Sequence, residues 1–223
     1  MALPADILMF LGSTVCHQLP ERSYFFDGVQ MPLCARCIGI HFGFVLSTLF
    51  LFTGSRRFAG GLPSVRQAAV LASIMAFFVL DAGLSYSGLS ESTNLRRTLS
   101  GLSLGIPFPF VLFPFVNTLL YPGKNPSYPL SRKQDWAMFA VLFVVAAGAI
   151  LISESVGVIF YAVSSFGVAG VFLFFTSVFF LVILLGFEDW RAKSFQKVIV
   201  AIVIASTLLV TLAFIHDILL DGV

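Results

Sequence analysis

Long apolar runs separated by short polar clusters dominate the chain. Six of them approach the roughly 20 apolar residues that a helix needs to cross a bilayer. They cover about 36–53, 66–86, 98–120, 136–153, 157–186 and 196–217. A lone strand would leave its backbone groups unpaired in lipid, so each run predicts a helix. The pattern therefore predicts an all-α polytopic transmembrane bundle of about six spans. Leu3–Val15 is apolar but too short to span, and reads as an interfacial or half-inserted helix ending near Cys16-His17. No Lys or Arg precedes this stretch and no small-residue cleavage site follows, so it does not read as a signal peptide. Pro32-Leu33-Cys34 opens the first run, with Pro suited to a first helical turn. In the third run Gly101 and Gly105 allow close helix packing, while Pro107, Pro109 and Pro114 predict a kink or break. We read one integral membrane domain over 1–223, with an N-terminal segment (1–33) and a six-helix bundle (34–223).

Composition agrees. The chain is 58% hydrophobic and 11% charged, where a soluble domain carries roughly 25% charged residues. Its 26 Phe exceed what a soluble core of this size could hide. A net charge of +2 gives no ground for nucleic-acid binding, and membrane lipids are the expected surroundings. Lys and Arg alternate between the two sides. Arg56, Arg57, Arg66, Lys124, Arg132, Lys133, Arg191, Lys193 and Lys197 fall on every second loop, against Arg22, Arg36, Arg96 and Arg97 on the other side. Nine against four places the first set in the cytoplasm. The N-terminal segment and the C-terminus are then expected on the outer face of the cytoplasmic (bacterial inner) membrane.

Alternation of the spans also gathers the reactive residues on that outer side: all three cysteines (16, 34, 37) and all three histidines (17, 41, 216). The sharpest motif is Cys34-Ala-Arg-Cys37-Ile-Gly-Ile-His41, which as helix puts Cys34, Cys37 and His41 on one face. A CxxC pair can chelate a soft or borderline metal, and Cys16 with His17 or His41 could complete a Cys3His tetrahedron. The same pair can form a redox disulfide, and Arg36 and a helix N-terminus would each lower a thiol pKa. Asp81 and the Arg96-Arg97 pair form a second constellation. Asp81 either pairs with an Arg to tie spans two and three or serves a site, and paired guanidiniums suit a lipid phosphate. His216-Asp217 reads as a solvated helix end, and the Phe runs as lipid-facing or packing residues.

Cys16-His17-Gln18-Leu19-Pro20-Glu21-Arg22-Ser23, followed by Pro32-Leu33-Cys34-Ala35-Arg36-Cys37-Ile38-Gly39, resembles a known family. It is the family of bacterial and archaeal polytopic membrane proteins catalogued as a domain of unknown function, marked by Cys-His-Gln…Arg-Ser and Cys-x-Arg-Cys-x-Gly elements. Asp81 and an Asn-x-x-Arg-x-x-x-Gly element at Asn94, Arg97 and Gly101 resemble it too, over roughly residues 14–105. The resemblance implies that Cys16, His17, Gln18, Arg22, Cys34, Arg36 and Cys37 act together, and it favours His17 over His41. It names no reaction.

Three functions follow as expectations. The first is a transition-metal site, zinc by ligand type, on Cys16, Cys34, Cys37 and His17, with His41 as the alternative. Asp81, Arg96 and Arg97 beneath it would suit a lipid-linked or anionic substrate. The second is a thiol–disulfide oxidoreductase with Cys34–Cys37 as the redox pair, Cys16 as a partner thiol and a membrane quinone as acceptor. The third is a metal or anion transporter.

Overall fold

The computed structural model describes residues 4–121, 127–186 and 194–220. Lys124, Arg191 and Lys193, three of the nine cations behind the orientation reading, lie outside them. The elements are almost all helices: α1 (Pro4–Gly12), α2 (Ala35–Leu51), α3 (Val65–Tyr86), α4 (Asn94–Gly105), α5 (Pro107–Leu120), α6 (Lys133–Ile152), α7 (Gly157–Gly186) and α8 (Ser194–Leu220). The six runs are therefore helical, with ends displaced by at most four residues (94 against 98). Five helical stretches are long and apolar enough to cross a membrane, α4 and α5 together forming one of them. The sixth, α2, has 17 residues and is about 25 Å long.

That short helix is the centre of the bundle. Thirteen of its 17 residues are buried, against α4, α5, α6 and α7. By contrast α3 buries only Leu71 and Asp81, and its remaining apolar surface is of the kind that meets lipid. The α2–α4 crossing is made by glycine. Gly39 and Gly43 on α2 face Gly101 and Gly105 on α4, so each helix carries a G-x-x-x-G ridge. Without a Cβ at these positions the two backbones touch, which is the packing mode available where lipid removes the hydrophobic drive. A Cβ at Gly39 would lie 2.6 Å from the Thr98 carbonyl oxygen, and one at Gly101 would collide with the Arg36 carbonyl. On the other side Gly167 and Gly170 of α7 admit Ile38 and the His41 backbone.

The proline-rich third run interrupts at one residue. Ile106 separates α4 from α5 with helical dihedrals (φ −73°, ψ −46°). Pro107 and Pro109 then fall in the first turn of α5, where backbone N–H groups have no helical acceptor in any case. Pro114 alone sits inside the helix. Pro32 departs from expectation, because α2 begins at Ala35 with Cys34 as an extended N-cap (ψ 162°). The physical reason is that the Pro32 carbonyl is bound by Gln18 Nε2 (2.9 Å) and the Cys34 N–H by Cys16 Sγ (3.1 Å). Those contacts hold residues 32–34 outside the helix.

The end opposite the cysteines is tied by polar contacts between loops. Arg56 pairs with Asp135 at 2.8 Å, Gln67 donates to the Leu130 carbonyl at 3.0 Å, and Asn117 to the Ala59 carbonyl at 2.9 Å.

Substituting Gly101 by Val overpacks the α2–α4 crossing and should cost about 1–3 kcal/mol. Gly83, whose Cβ would meet nothing within 4 Å, accepts Ala with no loss. Unfolding of both variants in mixed detergent micelles measures the difference, and equal stability would refute the crossing.

Candidate functional site

The N-terminal segment folds back over the cysteine-bearing end of α2. After α1, which packs on α7 and α8 and sets Phe10 against Phe214 (5.7 Å), the chain turns at Gln18. This residue has φ 50°, a left-handed conformation uncommon for a side chain of this size. Its side chain secures the turn by donating to the Met9 carbonyl (2.6 Å) and the Pro32 carbonyl (2.9 Å). Gln30 Nε2 in turn donates to the Gln18 carbonyl (2.6 Å). A hairpin follows, β1 (Phe25–Phe26) paired with β2 (Val29–Gln30). Asp27-Gly28 forms its tip with both φ values positive, the preferred chemistry for a two-residue hairpin loop. Tyr24 is buried with its hydroxyl 2.8 Å from Thr98 Oγ1 on α4, so the segment is pinned to the bundle.

This fold-back brings Cys16 to the N-terminus of α2. The sulfurs of Cys16, Cys34 and Cys37 all lie within 4.8 Å of one another, and none is in a disulfide. Cys16 Sγ accepts the Cys34 N–H at 3.1 Å and the Gln18 N–H at 3.4 Å. Hydrogen bonds from the Cys16 and Cys37 thiols hold the Cys34 thiol far below its usual range, helped by the Cys37 and Arg36 N–H groups. Cys16 is pushed up to about 11, first by its bond with Cys34 and then by burial. The trio therefore carries its negative charge on Cys34, at the positive end of a helix.

Between the two α2 cysteines Arg36 turns the other way, into the bundle. Its NH2 lies 2.6 Å from Asp81 Oδ2, and Arg96 Nε lies 2.6 Å from Asp81 Oδ1. Ser100 and Ser92 hydroxyls donate to the same carboxylate at 2.8 and 3.0 Å. Asp81 is fully buried, so one carboxylate joins α2, α3, α4 and the loop before α4. Arg36 also stacks over Tyr86, 5.6 Å from its ring centre.

A cavity of about 140 Å³ lies beside the sulfurs, walled by the three cysteines, His17, Arg22, Arg36 and Arg97 among others. The site residues read from the sequence thus divide. Cys16, Cys34 and Cys37 form one cluster, and His17 borders the same cavity although its ring is outside the sulfur group. His41 is buried deeper on α2 against Phe174 (5.6 Å), also outside that group. Arg96 and Arg97 part company, Arg96 going to Asp81 and Arg97 to the cavity wall. His216 and Asp217 lie in the last turns of α8, and their side chains are outside the described residues. Sequence reasoning missed the Arg36–Asp81 pair, the serine clamp and the hairpin. Only the hairpin had a local signal, Asp27-Gly28.

Residues 16–111 match the family described as "Predicted membrane protein (DUF2085)". An uncharacterized protein of Methanocaldococcus jannaschii is 30% identical over 109 residues, 49% of this chain and 68% of that protein. An uncharacterized protein of Methanothermobacter thermautotrophicus is 33% identical over 92 residues, 41% of this chain and 78% of that protein. No solved structure matches the chain. The matched stretch contains every residue of the sulfur cluster, the cavity arginines and Asp81.

Two outcomes follow from this geometry. Asp81→Ala leaves two guanidiniums without their carboxylate and should lower stability by about 3–5 kcal/mol, read by detergent unfolding, whereas an unchanged midpoint would deny the clamp. In metal-free protein Cys34 is already a thiolate, since its depressed pKa keeps it ionised as pH falls. Its alkylation rate should vary less than about twofold from pH 5 to 8, where an ordinary thiol of pKa about 8.5 rises by nearly three orders of magnitude. Mass spectrometry of the modified peptide reads this.

Proposed function

This chain belongs to the family described as "Predicted membrane protein (DUF2085)", and from that premise we propose that its function is carried by a transition-metal centre on Cys16, Cys34 and Cys37. The single observation behind this reading is the convergence of three free sulfurs within 4.8 Å of one another. Tetrahedral zinc with Zn–S near 2.3 Å sets sulfurs about 3.8 Å apart. The cluster therefore needs a contraction of no more than about 1 Å to close on the ion. Thiolate ligands select zinc among the abundant divalent metals. His17 is the candidate for a fourth ligand, because it follows Cys16 and borders the same cavity. With His17 bound the site is closed and pins the N-terminal segment over the bundle. With His17 away, the fourth position is open to an anionic or lipid-linked substrate. The orientation reading puts this centre on the outer face of the cytoplasmic membrane.

A second reading is favoured by the charge on Cys34. A thiolate at a helix N-terminus flanked by two thiols is the arrangement of a thiol–disulfide oxidoreductase. In that reaction the Cys34 thiolate and the Cys37 thiol would lose two electrons and one proton in forming a disulfide, and a membrane quinone would take these with one further proton from water to become the quinol. The transport reading gains no comparable support, since the Asp81 it relies on has its oxygens taken up by two arginines and two serines.

Elemental analysis with thiol counting on one reducing, chelator-free preparation separates the two. The metal reading expects about one equivalent of zinc, falling below about a tenth in Cys16→Ala and Cys34→Ala. A metal-free protein with a Cys34–Cys37 disulfide in cells would replace it with the redox reading.

A further inference from the structure

The four arginines at the cysteine-bearing end differ in what they have to bind. Arg96 is taken up, with Nε 2.6 Å from Asp81, and NH1 donating to Ser90 Oγ (2.8 Å) and the Glu91 carbonyl (3.4 Å). Arg22, Arg36 and Arg97 instead line the cavity beside the sulfurs. No carboxylate is among the described residues of that wall. Among the described residues the Arg97 side chain makes one long hydrogen bond, 3.4 Å to Asn94 Oδ1. Arg22 meets Glu21 at 3.7 Å in an exposed pair. Arg36 gives NH2 to Asp81, while its buried Nε has no acceptor among the described residues. Asp81, the buried carboxylate at this end, is already shared by Arg36 and Arg96.

Three arginines line one cavity at a membrane surface whose wall holds no carboxylate, and the single thiolate at Cys34 leaves that wall with a net positive charge. Guanidinium forks match the oxygens of a phosphate in pairs. At about 140 Å³ the cavity is well below the roughly 300 Å³ of a pocket for larger organic ligands. We infer that this cavity binds a phosphate group through Arg22 and Arg97, while Arg36 and Arg96 are held by Asp81. The inference rests on the metal-centre reading in one respect, the role of the phosphate as the group presented to the metal's fourth position. The arginine site itself stands without the metal.

Solution phosphate and a lipid head group present the same chemistry, and two arms of one experiment separate these sources. The full chain is placed in phosphatidylcholine nanodiscs and titrated with inorganic phosphate by calorimetry. A second set of nanodiscs contains phosphatidic acid, whose retention on the protein is read by native mass spectrometry. Wild type should bind at least one probe. Arg22→Gln and Arg97→Gln should each weaken that binding about ten- to hundredfold, the loss of one charged hydrogen-bond partner. Arg57→Gln, at the other end of the bundle, should leave it unchanged. Binding of inorganic phosphate identifies a soluble source, and binding of phosphatidic acid alone identifies a lipid. Absence of both in wild type, or binding that stays within twofold in Arg22→Gln and Arg97→Gln, overturns the inference. Arg22 is partly exposed and outside every long helix, so its variant remains informative if Arg97→Gln fails to fold. Zinc content of the same samples reports on the metal centre separately.

Discussion

Burying a carboxylate inside a helix bundle costs several kcal/mol unless opposite charges and hydrogen-bond donors go in with it, and Asp81 has both. Two guanidiniums and two hydroxyls surround it, and they come from α2, from α4 and from the loop between α3 and α4. Moving either guanidinium away would leave the buried carboxylate short of a countercharge. Since Arg36 sits between Cys34 and Cys37, the clamp also sets how the first turn of α2 is rotated. Arg36 points to Asp81, and the two cysteines on either side meet Cys16. The position of the sulfur cluster is in this sense a consequence of an ion pair that belongs to the bundle.

The clamp works only because α2 and α4 approach closely, which the paired glycine ridges permit. Contact of Gly101 with the Arg36 carbonyl brings the Arg36 turn to α4. It also sets Thr98 where it donates to the Ala35 carbonyl (3.3 Å) and meets the Tyr24 hydroxyl. One crossing thereby anchors both the charged clamp and the segment that carries Cys16. α3 contributes little beyond Asp81 and Leu71 to the interior. Its attachment depends on electrostatics more than on area, which makes Asp81 unusual for a helix otherwise suited to lipid.

Much of this was legible in the sequence, and for different reasons at different places. Helix spans announce themselves because a bilayer imposes a length and an apolarity that short-range composition reports directly. Cys16, Cys34 and Cys37 were legible as a group because cysteines are few and the alternation of spans puts them on one side. Asp81 could be assigned an arginine partner but not Arg36, since which arginine turns inward depends on the rotation of α2, a property of packing. Gly39-x-x-x-Gly43 is as visible in the chain as Gly101-x-x-x-Gly105, yet that the two ridges meet is a tertiary fact. His41 shares the helix with the cysteines, but Cys34 is an extended N-cap, and His41 lies more than a full turn beyond Cys37. The expected helical register therefore overstates its closeness.

The source of the third sulfur bears on the chemistry. A CxxC turn needs two cysteines to cycle between dithiol and disulfide, and both come from α2. Cys16 arrives from another segment, through a left-handed Gln18 held by two carbonyls and with a backbone N–H from Cys34 fixed on its sulfur. Such placement fixes the Cys16 sulfur beside the other two and restricts the motion that thiol exchange requires. Three thiolates within 4.8 Å would repel one another strongly in this partly buried site. They can all be ionised together only with a cation among them, and in its absence the charge contracts to Cys34. A metal would use the whole arrangement, a disulfide two thirds of it, and that difference favours the metal.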